Sequence, residues 1–280
     1  MKGGMVTQFQ HSCASVTFPS VLGRFRHHRR LMLRQLNFLY EWTRAAVFVR
    51  NEGTVIGMLW FLLGPFLTFL VLLAVFHGRL GMGIEHYAFY LVIGIIMWDF
   101  FNSGCSMCMR SMVVNGGLIK SLPVRRDVLV VSGLSTVLVS HLFEYGIFAI
   151  FCWWFGLMSV TWLLLPLLIV FECCFTLGVG FLLAAFFVTF RDLDQIWNFV
   201  QRVWWFATPV FYGLTATGPG LMLNQFNPMY HMITFGRDVL IYGRLPSLLS
   251  LLILASFSFV MIFAGYLFFR WKSPWFAEYL

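Results

Sequence analysis

The chain has 280 residues, of which 60% are hydrophobic and only 11% are charged. With a mean hydropathy of +0.83, this composition excludes an ordinary water-soluble globular domain and favours an integral membrane protein. The net charge of +8 is also compatible with nucleic-acid binding. However, the basic residues flank apolar segments instead of forming one patch, so we predict a membrane protein that binds no nucleic acid.

The N-terminal region is polar and then becomes periodic. Residues 1–29 show no repeating pattern and no signal-peptide core, which predicts a loosely ordered cytoplasmic tail. From Arg30 to Arg44 polar residues recur every three or four positions, which predicts an amphipathic helix. Its basic face and Trp42 are typical of a helix that lies flat in the cytoplasmic headgroup layer. The alternative is an ordinary helix of a small soluble domain.

Six apolar stretches follow, and each is long enough to cross a bilayer. A helix that rises ~1.5 Å per residue needs about 20 apolar residues to cross ~30 Å of hydrocarbon. The stretches are residues 57–76, 87–109, 128–157, 162–190, roughly 197–214, and 248–269. We therefore predict an all-α membrane protein with six transmembrane helices.

The basic residues predict the orientation of these helices. With six spans, both termini share one side with the second and fourth loops, and sixteen of the nineteen Lys and Arg residues fall in those segments. The other side receives only Arg79, Arg237 and Arg244. Because basic residues concentrate on the cytoplasmic side of membrane proteins, both termini are predicted to be cytoplasmic.

Two cytoplasmic segments have the composition of contact elements. The segment from Asn115 to Asp127 contains glycines, a proline and basic residues, which predicts a short helix held across the cytoplasmic face. Arg191 and Asp192 begin a second, mixed-charge turn after the fourth span. We interpret both segments as candidate docking elements for a partner protein.

The segment after the fifth span differs from the others. Residues 203–236 contain no Asp, Glu, Lys or Arg, yet several glycines and prolines interrupt them, including Pro209, Pro219 and Pro228. An unbroken helix cannot pass through so many breakers. We predict short re-entrant or outer helices before the last span.

A few ionisable residues lie inside the predicted spans: Asp99, His141, Glu144 and Glu172. A charge at membrane depth costs about 2.5–3.5 kcal/mol on insertion scales, so each is a candidate functional residue. His141 and Glu144 are three positions apart and can share a helix face. Mutual pairing within the helix bundle is the favoured interpretation, and a proton relay is the alternative.

The sequence contains no recognisable catalytic or nucleotide-binding motif. Cys105 and Cys108 form a C-x-x-C without the second ligand pair of a zinc site, so we interpret them as packing residues and expect no metal site. None of the three lysines follows a glycine, which excludes a phosphate-binding P-loop. We therefore expect no catalytic residues and no cofactor in this chain, and any ATP and magnesium would be bound by a separate subunit.

Aromatic residues are abundant, with 11 Trp and 33 Phe. Most are expected to contact lipid or to lie at the membrane interface. Aromatic faces also stack on the apolar faces of sugar rings. We predict that some of them line a translocation path: Trp98, Phe101, Trp153, Trp204 and Tyr212.

The entry to the first span resembles that of ABC type-2 permeases that export polysaccharides. The matching residues there are Arg50, Thr54, Gly57, Trp60 and Pro65. Further matches follow in the same chain order as in that family: Asn115, Ile119, Lys120, Pro123, Arg191, Asp192, Thr208, Pro209, Tyr212, Asn227, Pro228 and Arg237. The resemblance covers nearly the whole chain, with residues 30–280 corresponding to the transmembrane domain.

The resemblance implies a mechanism. Two copies of the permease would pair with two copies of an ATP-binding cassette subunit in the bacterial inner membrane. The cargo would be a capsule, O-antigen or teichoic-type glycan, free or lipid-linked. By the same resemblance, the flat N-terminal helix and the two cytoplasmic segments would bind the partner, through the residues Asn115, Ile119, Lys120, Pro123, Arg125, Arg126, Arg191 and Asp192.

Other functions remain open at this point. An ABC exporter of drugs or lipids would share the permease fold. A proton-coupled secondary carrier is motivated by His141, Glu144 and Glu172, and the same acidic residues would allow a membrane-embedded glycosyl or acyl transferase.

Overall fold

The computed structural model describes residues 59–76, 84–121, 125–213 and 224–276. In these ranges the regular structure is entirely helical, which confirms the predicted all-α class. The helices are α1 (Leu59–Phe76), α2 (Tyr87–Val114), α3 (Gly116–Ser121), α4 (Arg126–Trp154), α5 (Leu165–Phe187), α6 (Leu193–Ala207), α7 (Pro228–Leu240) and α8 (Leu248–Lys272). The predicted tail, the amphipathic helix that begins at Arg30, and Pro123 lie outside the described residues.

Four of the described helices are long and apolar enough to cross a membrane. They are α2, α4, α5 together with the 3-10 turn that precedes it, and α8 together with the 3-10 turn that follows it. Each of them covers one of the predicted spans. Helix α1 has 18 described residues and occupies the place of the first predicted span.

The fifth predicted span, 197–214, is not a single helix. Helix α6 begins earlier, at Leu193, and ends at Ala207 after 15 residues, about 22 Å at the rise of an α-helix. Thr208 is extended, with φ −90° and ψ 134°, because it precedes Pro209 and a residue before proline disfavours the helical region. The helix therefore ends before the predicted boundary near Leu214, and Leu214 itself lies outside the described residues.

Helices α5 and α8 pack closely at two glycines. A Cβ atom at Gly178 would lie 2.5 Å from the Met261 carbonyl carbon, and one at Gly265 would overlap the backbone of Gly178. The backbones of the two helices are therefore in direct contact. The outer face of α8 exposes large apolar side chains such as Val260, Phe263 and Leu267, as expected for a surface that faces lipid.

The ends of the helices divide into two groups. Arg110 near the end of α2 pairs with Asp194 at the start of α6. Arg126 at the start of α4 donates to Ser273 after α8. These contacts bring the ends of α2 and α8 and the starts of α4 and α6 to one end of the bundle, which we name the basic end after its arginines: Arg110, Arg125, Arg126, Arg191 and Arg270.

The chain from Asp194 to Tyr212, which occupies the place of the fifth predicted span, runs along most of α2 although helix α6 ends early. Asp194 is level with Arg110 at the basic end. At the opposite end, the Tyr87 hydroxyl donates to the Phe211 carbonyl at 2.8 Å, and the Tyr90 hydroxyl donates to the next carbonyl at 2.9 Å. Helix α6 and the non-helical residues after it together cover this distance.

Candidate functional site

A bidentate ion pair joins α2 to α6 at the basic end. The Arg110 guanidinium donates to both carboxylate oxygens of Asp194, with nitrogen–oxygen distances of 2.8 and 2.9 Å. Both side chains are partly exposed. A bidentate pair between a guanidinium and a carboxylate is directional as well as electrostatic. This contact therefore orients the start of α6 relative to α2.

The short helix α3 occupies the first predicted docking segment. Asn115 ends α2, and its side-chain amide donates to the Ser111 carbonyl at 2.8 Å. The Asn115 carbonyl then accepts from the Ile119 N–H at 3.0 Å. Ile119 is half-buried, whereas Lys120 is exposed. Helix α3 is thus held against the end of α2 and presents a basic side chain outward.

The other predicted docking residues differ in their accessibility. Arg125 pairs with Asp127 two positions along. Arg126 is engaged with Ser273, so it fastens α4 to the end of α8. Arg191 and Asp192 are exposed in the turn between α5 and α6. Lys120 and Arg191 are therefore better suited than Arg126 to contact a partner.

Three of the five predicted path-lining aromatics meet between α2 and α6. The Trp204 ring centroid lies 5.2 Å from that of Phe101 and 6.1 Å from that of Trp98. The Trp98 and Phe101 centroids are 5.8 Å apart. We name these three residues the aromatic cluster. It is closed in the single chain, since Trp98 is 7% exposed and Phe101 is fully buried.

The remaining two predicted aromatics lie elsewhere. Trp153 is 68% exposed near the end of α4, and none of its described ring contacts reaches the aromatic cluster. Tyr212 is half-buried beyond the end of α6, where its hydroxyl donates to the Phe206 and Ala207 carbonyls at 3.1 Å each. The structure therefore brings together only part of the predicted lining.

The buried ionisable residues form a second cluster, in which His141 has a different main partner from the one predicted. His141 Nε2 lies 3.1 Å from Glu172 Oε2 on α5, whereas its Nδ1 lies 3.6 Å from Glu144 Oε2 on the same helix. The Tyr145 hydroxyl donates to Glu172 at 3.5 Å. The Phe100 ring stacks on the imidazole at 4.3 Å. The pair joins α4 to α5, while His141 Nδ1 and Glu172 Oε1 have no hydrogen-bond partner among the described residues. Mutual pairing and a proton relay therefore both stay predictions.

Asp99 is the fourth predicted intramembrane residue. It is half-buried on α2, one position before Phe100.

A buried arginine organises the opposite end of the bundle. Arg237 on α7 is 4% exposed, and its guanidinium donates to the carbonyls of Tyr90, Pro209 and Val210 at 3.2, 2.9 and 2.7 Å. Burial lowers the pKa of Arg237 to about 10, so the group remains protonated at neutral pH. This side chain therefore provides donors to the carbonyls of Pro209 and Val210, which follow α6 and are not part of a helix.

Asn227 makes a similar bridge that the sequence did not reveal. Its side-chain oxygen accepts from Trp204 Nε1 at 3.0 Å and from the Met229 N–H, and its amide donates to the Thr208 hydroxyl at 2.8 Å. One residue therefore caps α7 and holds the aromatic cluster in place. Asn before Pro is a recognisable helix-start signal, but its link to Trp204 depends on the fold.

Comparison with known proteins finds relatives that are named as polysaccharide export permeases. No protein-family model matches the chain. It is 28% identical over 260 residues to the O-antigen export system permease protein RfbA of Myxococcus xanthus, covering 88% of this chain and 99% of that protein. It is 24% identical over 200 residues to a protein of the same name from Klebsiella pneumoniae, covering 70% and 77% of the two chains.

A second kind of relative exports a different polymer. The chain is 23% identical over 249 residues to the polysialic acid transport protein KpsM of Escherichia coli, covering 82% of this chain and 93% of that protein. These relatives are ABC type-2 polysaccharide exporter permeases. The resemblance inferred from the sequence motifs is therefore confirmed, and the apolar helices fit a multi-pass membrane permease.

Proposed function

We propose that this chain is the membrane-spanning permease subunit of an ATP-driven exporter that moves polysaccharide or lipid-linked glycan across the bacterial inner membrane. The observation that carries this proposal is the alignment with an O-antigen export permease over 88% of this chain and 99% of the relative. Because the match extends over both chains, it supports a shared role of the whole subunit rather than one shared module.

The proposed topology has six crossings with the basic end in the cytoplasm. From Tyr87 to Arg110, α2 extends about 35 Å at ~1.5 Å per residue. The segment from Asp194 to Phe211 runs beside it between the same two levels, which supports a fifth crossing made of α6 and the non-helical residues that follow it. The concentration of arginines at the basic end supports cytoplasmic termini.

The proposed partner is an ATP-binding cassette subunit, which would bind ATP and magnesium and dock at the basic end. Helix α3 is the proposed coupling helix. The proposed accessible contacts are Lys120 on α3 and Arg191 in the turn between α5 and α6. A second copy of this chain would complete the assembly. The exposed apolar surface of α6, including Phe199 and Val203, provides area that either a second copy or lipid must cover.

The proposed translocation path follows the contact between α2 and α6. The aromatic cluster lies in this contact, and its rings provide the flat faces that stack on sugars. Arg110–Asp194 closes one end of the contact, and Arg237 closes the other. ATP-driven movement of the docked subunits would separate α6 from α2 and expose the cluster to the glycan.

Co-purification tests the proposed assembly. The permease would be expressed with an ATP-binding cassette subunit of a polysaccharide exporter, and the two proteins would elute together in detergent. The double variant Lys120→Glu with Arg191→Glu is expected to abolish co-elution because it reverses both accessible charges. Arg244→Glu is the matched control, since Arg244 is exposed near the opposite end. Survival of the complex in the double variant would exclude docking at α3.

A further inference from the structure

A groove with a volume of about 640 Å³ opens on the outside of the bundle, between α4, α5 and α8. Val131 and Phe181 form one wall, and Phe259, Phe263 and Tyr266 of α8 form the other. The volume is within the range of about 300–1,000 Å³ that is usual for small-molecule sites. Apart from Asp127 at one end, the lining is apolar or aromatic, so the groove suits a hydrocarbon chain.

Cations surround the end of the groove that lies toward the basic end. The Asp127 carboxylate accepts from the Arg125 guanidinium, and this hydrogen bond raises the pKa of Arg125, which also interacts with Tyr266. Arg270 lies one turn beyond Tyr266, with its guanidinium carbon 5.8 Å from that ring centroid. Among the described residues, Arg270 forms no ion pair. Arg125 balances the charge of Asp127, and Arg270 adds a second cation beside Tyr266, which leaves this end of the groove positively charged.

The level of the groove in the membrane follows from α8. Trp271 and Trp275 are 69% and 59% exposed, and exposed tryptophans at the end of a spanning helix lie at the headgroup level. From Phe259 to Arg270 the helix rises about 16 Å. The apolar groove thus lies where acyl chains run, and the arginines lie where phosphates lie.

We propose that this groove binds an anionic phospholipid of the cytoplasmic leaflet, with one acyl chain between α4, α5 and α8 and the phosphate at Arg270 and Arg125. The choice of occupant rests on charge: an apolar groove alone would accept any lipid, whereas the cationic mouth selects an anionic headgroup. Only the assignment to the cytoplasmic leaflet rests on the proposed topology.

Native mass spectrometry of the purified permease tests the site. The protein would be equilibrated with micelles that contain equal amounts of phosphatidylglycerol and phosphatidylcholine, and the lipid retained after detergent exchange would be counted. The unmodified chain is expected to retain phosphatidylglycerol preferentially. Arg270→Gln should lower this preference about fivefold, the effect expected for one basic residue near an anionic surface. Arg270→Lys should keep most of it.

Two further variants distinguish binding in the groove from nonspecific electrostatic attraction of anionic lipid to the protein. Val260 lines the groove and is 67% exposed, so Val260→Trp should fill the groove and reduce bound phosphatidylglycerol without unfolding the protein. Lys272→Gln is the matched control, because Lys272 lies at the same end of α8 but contacts Trp271 instead of the groove.

Three results would overturn the proposal. One is a loss of selectivity in Lys272→Gln equal to that in Arg270→Gln. Another is unchanged retention in Val260→Trp. The third is a change of oligomeric state in Val260→Trp, which would mean that a second copy of the chain occupies the groove. None of these readouts needs an ATP-binding subunit or a glycan, so they are independent of the proposed transport function.

Discussion

The guanidinium carbon of Arg237 lies 3.3 Å from the ring centroid of Tyr90, so one buried cation joins α7 to the start of α2. The same guanidinium donates to the carbonyls of Pro209 and Val210 just after α6. Three segments that are distant in sequence therefore meet at a single side chain.

Loss of Arg237 should destabilise this end of the bundle. Arg237→Ala leaves three carbonyls without their donor, and each buried unsatisfied group costs about 1–3 kcal/mol. We expect a lower Tm in detergent, measured by thermal denaturation. Arg237→Lys should recover little, because an ammonium cannot reproduce the planar fork. The exposed Arg244→Ala is the control, and an equal effect of both alanine variants would contradict the assigned role.

The His141–Glu172 pair should behave as a structural ion pair. Removing one partner leaves an uncompensated buried charge, which typically destabilises by about 3–5 kcal/mol. Glu172→Leu alone should therefore lower the Tm strongly. Because Glu144 also lies against His141, the triple variant His141→Phe with Glu144→Gln and Glu172→Leu removes every charge of the cluster and should regain stability and glycan export.

The same triple variant decides between the two interpretations of the cluster. Restored stability without restored export would favour a proton relay over pairing. Failure to restore stability would show that neither interpretation accounts for the cluster.

The contact between α5 and α8 should not tolerate larger side chains. Gly265→Val is expected to separate the two helices, because a Cβ atom there overlaps the backbone of Gly178. The measurable result is loss of monodisperse protein in size-exclusion chromatography. Gly146→Ala is the control: nothing lies within 4 Å of a Cβ atom at that position of α4, so this change should be neutral or slightly stabilising. A well-folded Gly265→Val protein would refute the close approach.

The aromatic cluster should matter for transport more than the exposed tryptophan of α4. Trp204→Ala removes the central ring of the cluster and should reduce glycan export severalfold while co-elution with the ATP-binding subunit persists. Trp153→Ala, on a side chain that is 68% exposed, should have a smaller effect. Export would be followed by surface labelling of the polymer. An equal loss of export in the two variants would show that the path does not follow the contact between α2 and α6.

Much of the helical framework could be predicted from hydropathy, because the length and composition of a spanning helix are properties of contiguous sequence. The sequence also contains a signal for the early end of α6. Pro209 restricts Thr208 to the extended region. The predicted span nevertheless extends beyond Pro209, because Val210 and Phe211 are apolar. Apolar composition indicates which segments lie in the membrane, whereas the end of helix α6 depends on the single residue Pro209.

The polar contacts could not be predicted in the same way. Arg110 and Asp194 are 84 positions apart, and His141 and Glu172 are 31 positions apart. Spacing rules apply within one helix, so they indicate Glu144 as a neighbour of His141 and not Glu172. The closer partner, Glu172, lies on α5, and only the packing of α4 against α5 brings it to His141.

The most direct test of the account is transport in reconstituted vesicles. The permease and an ATP-binding cassette subunit would be incorporated together, and movement of a lipid-linked glycan would be followed with an enzyme that modifies only the exposed polymer. We predict movement that requires both proteins and hydrolysable ATP. Movement with the permease alone, or movement driven by a proton gradient without ATP, would contradict the account.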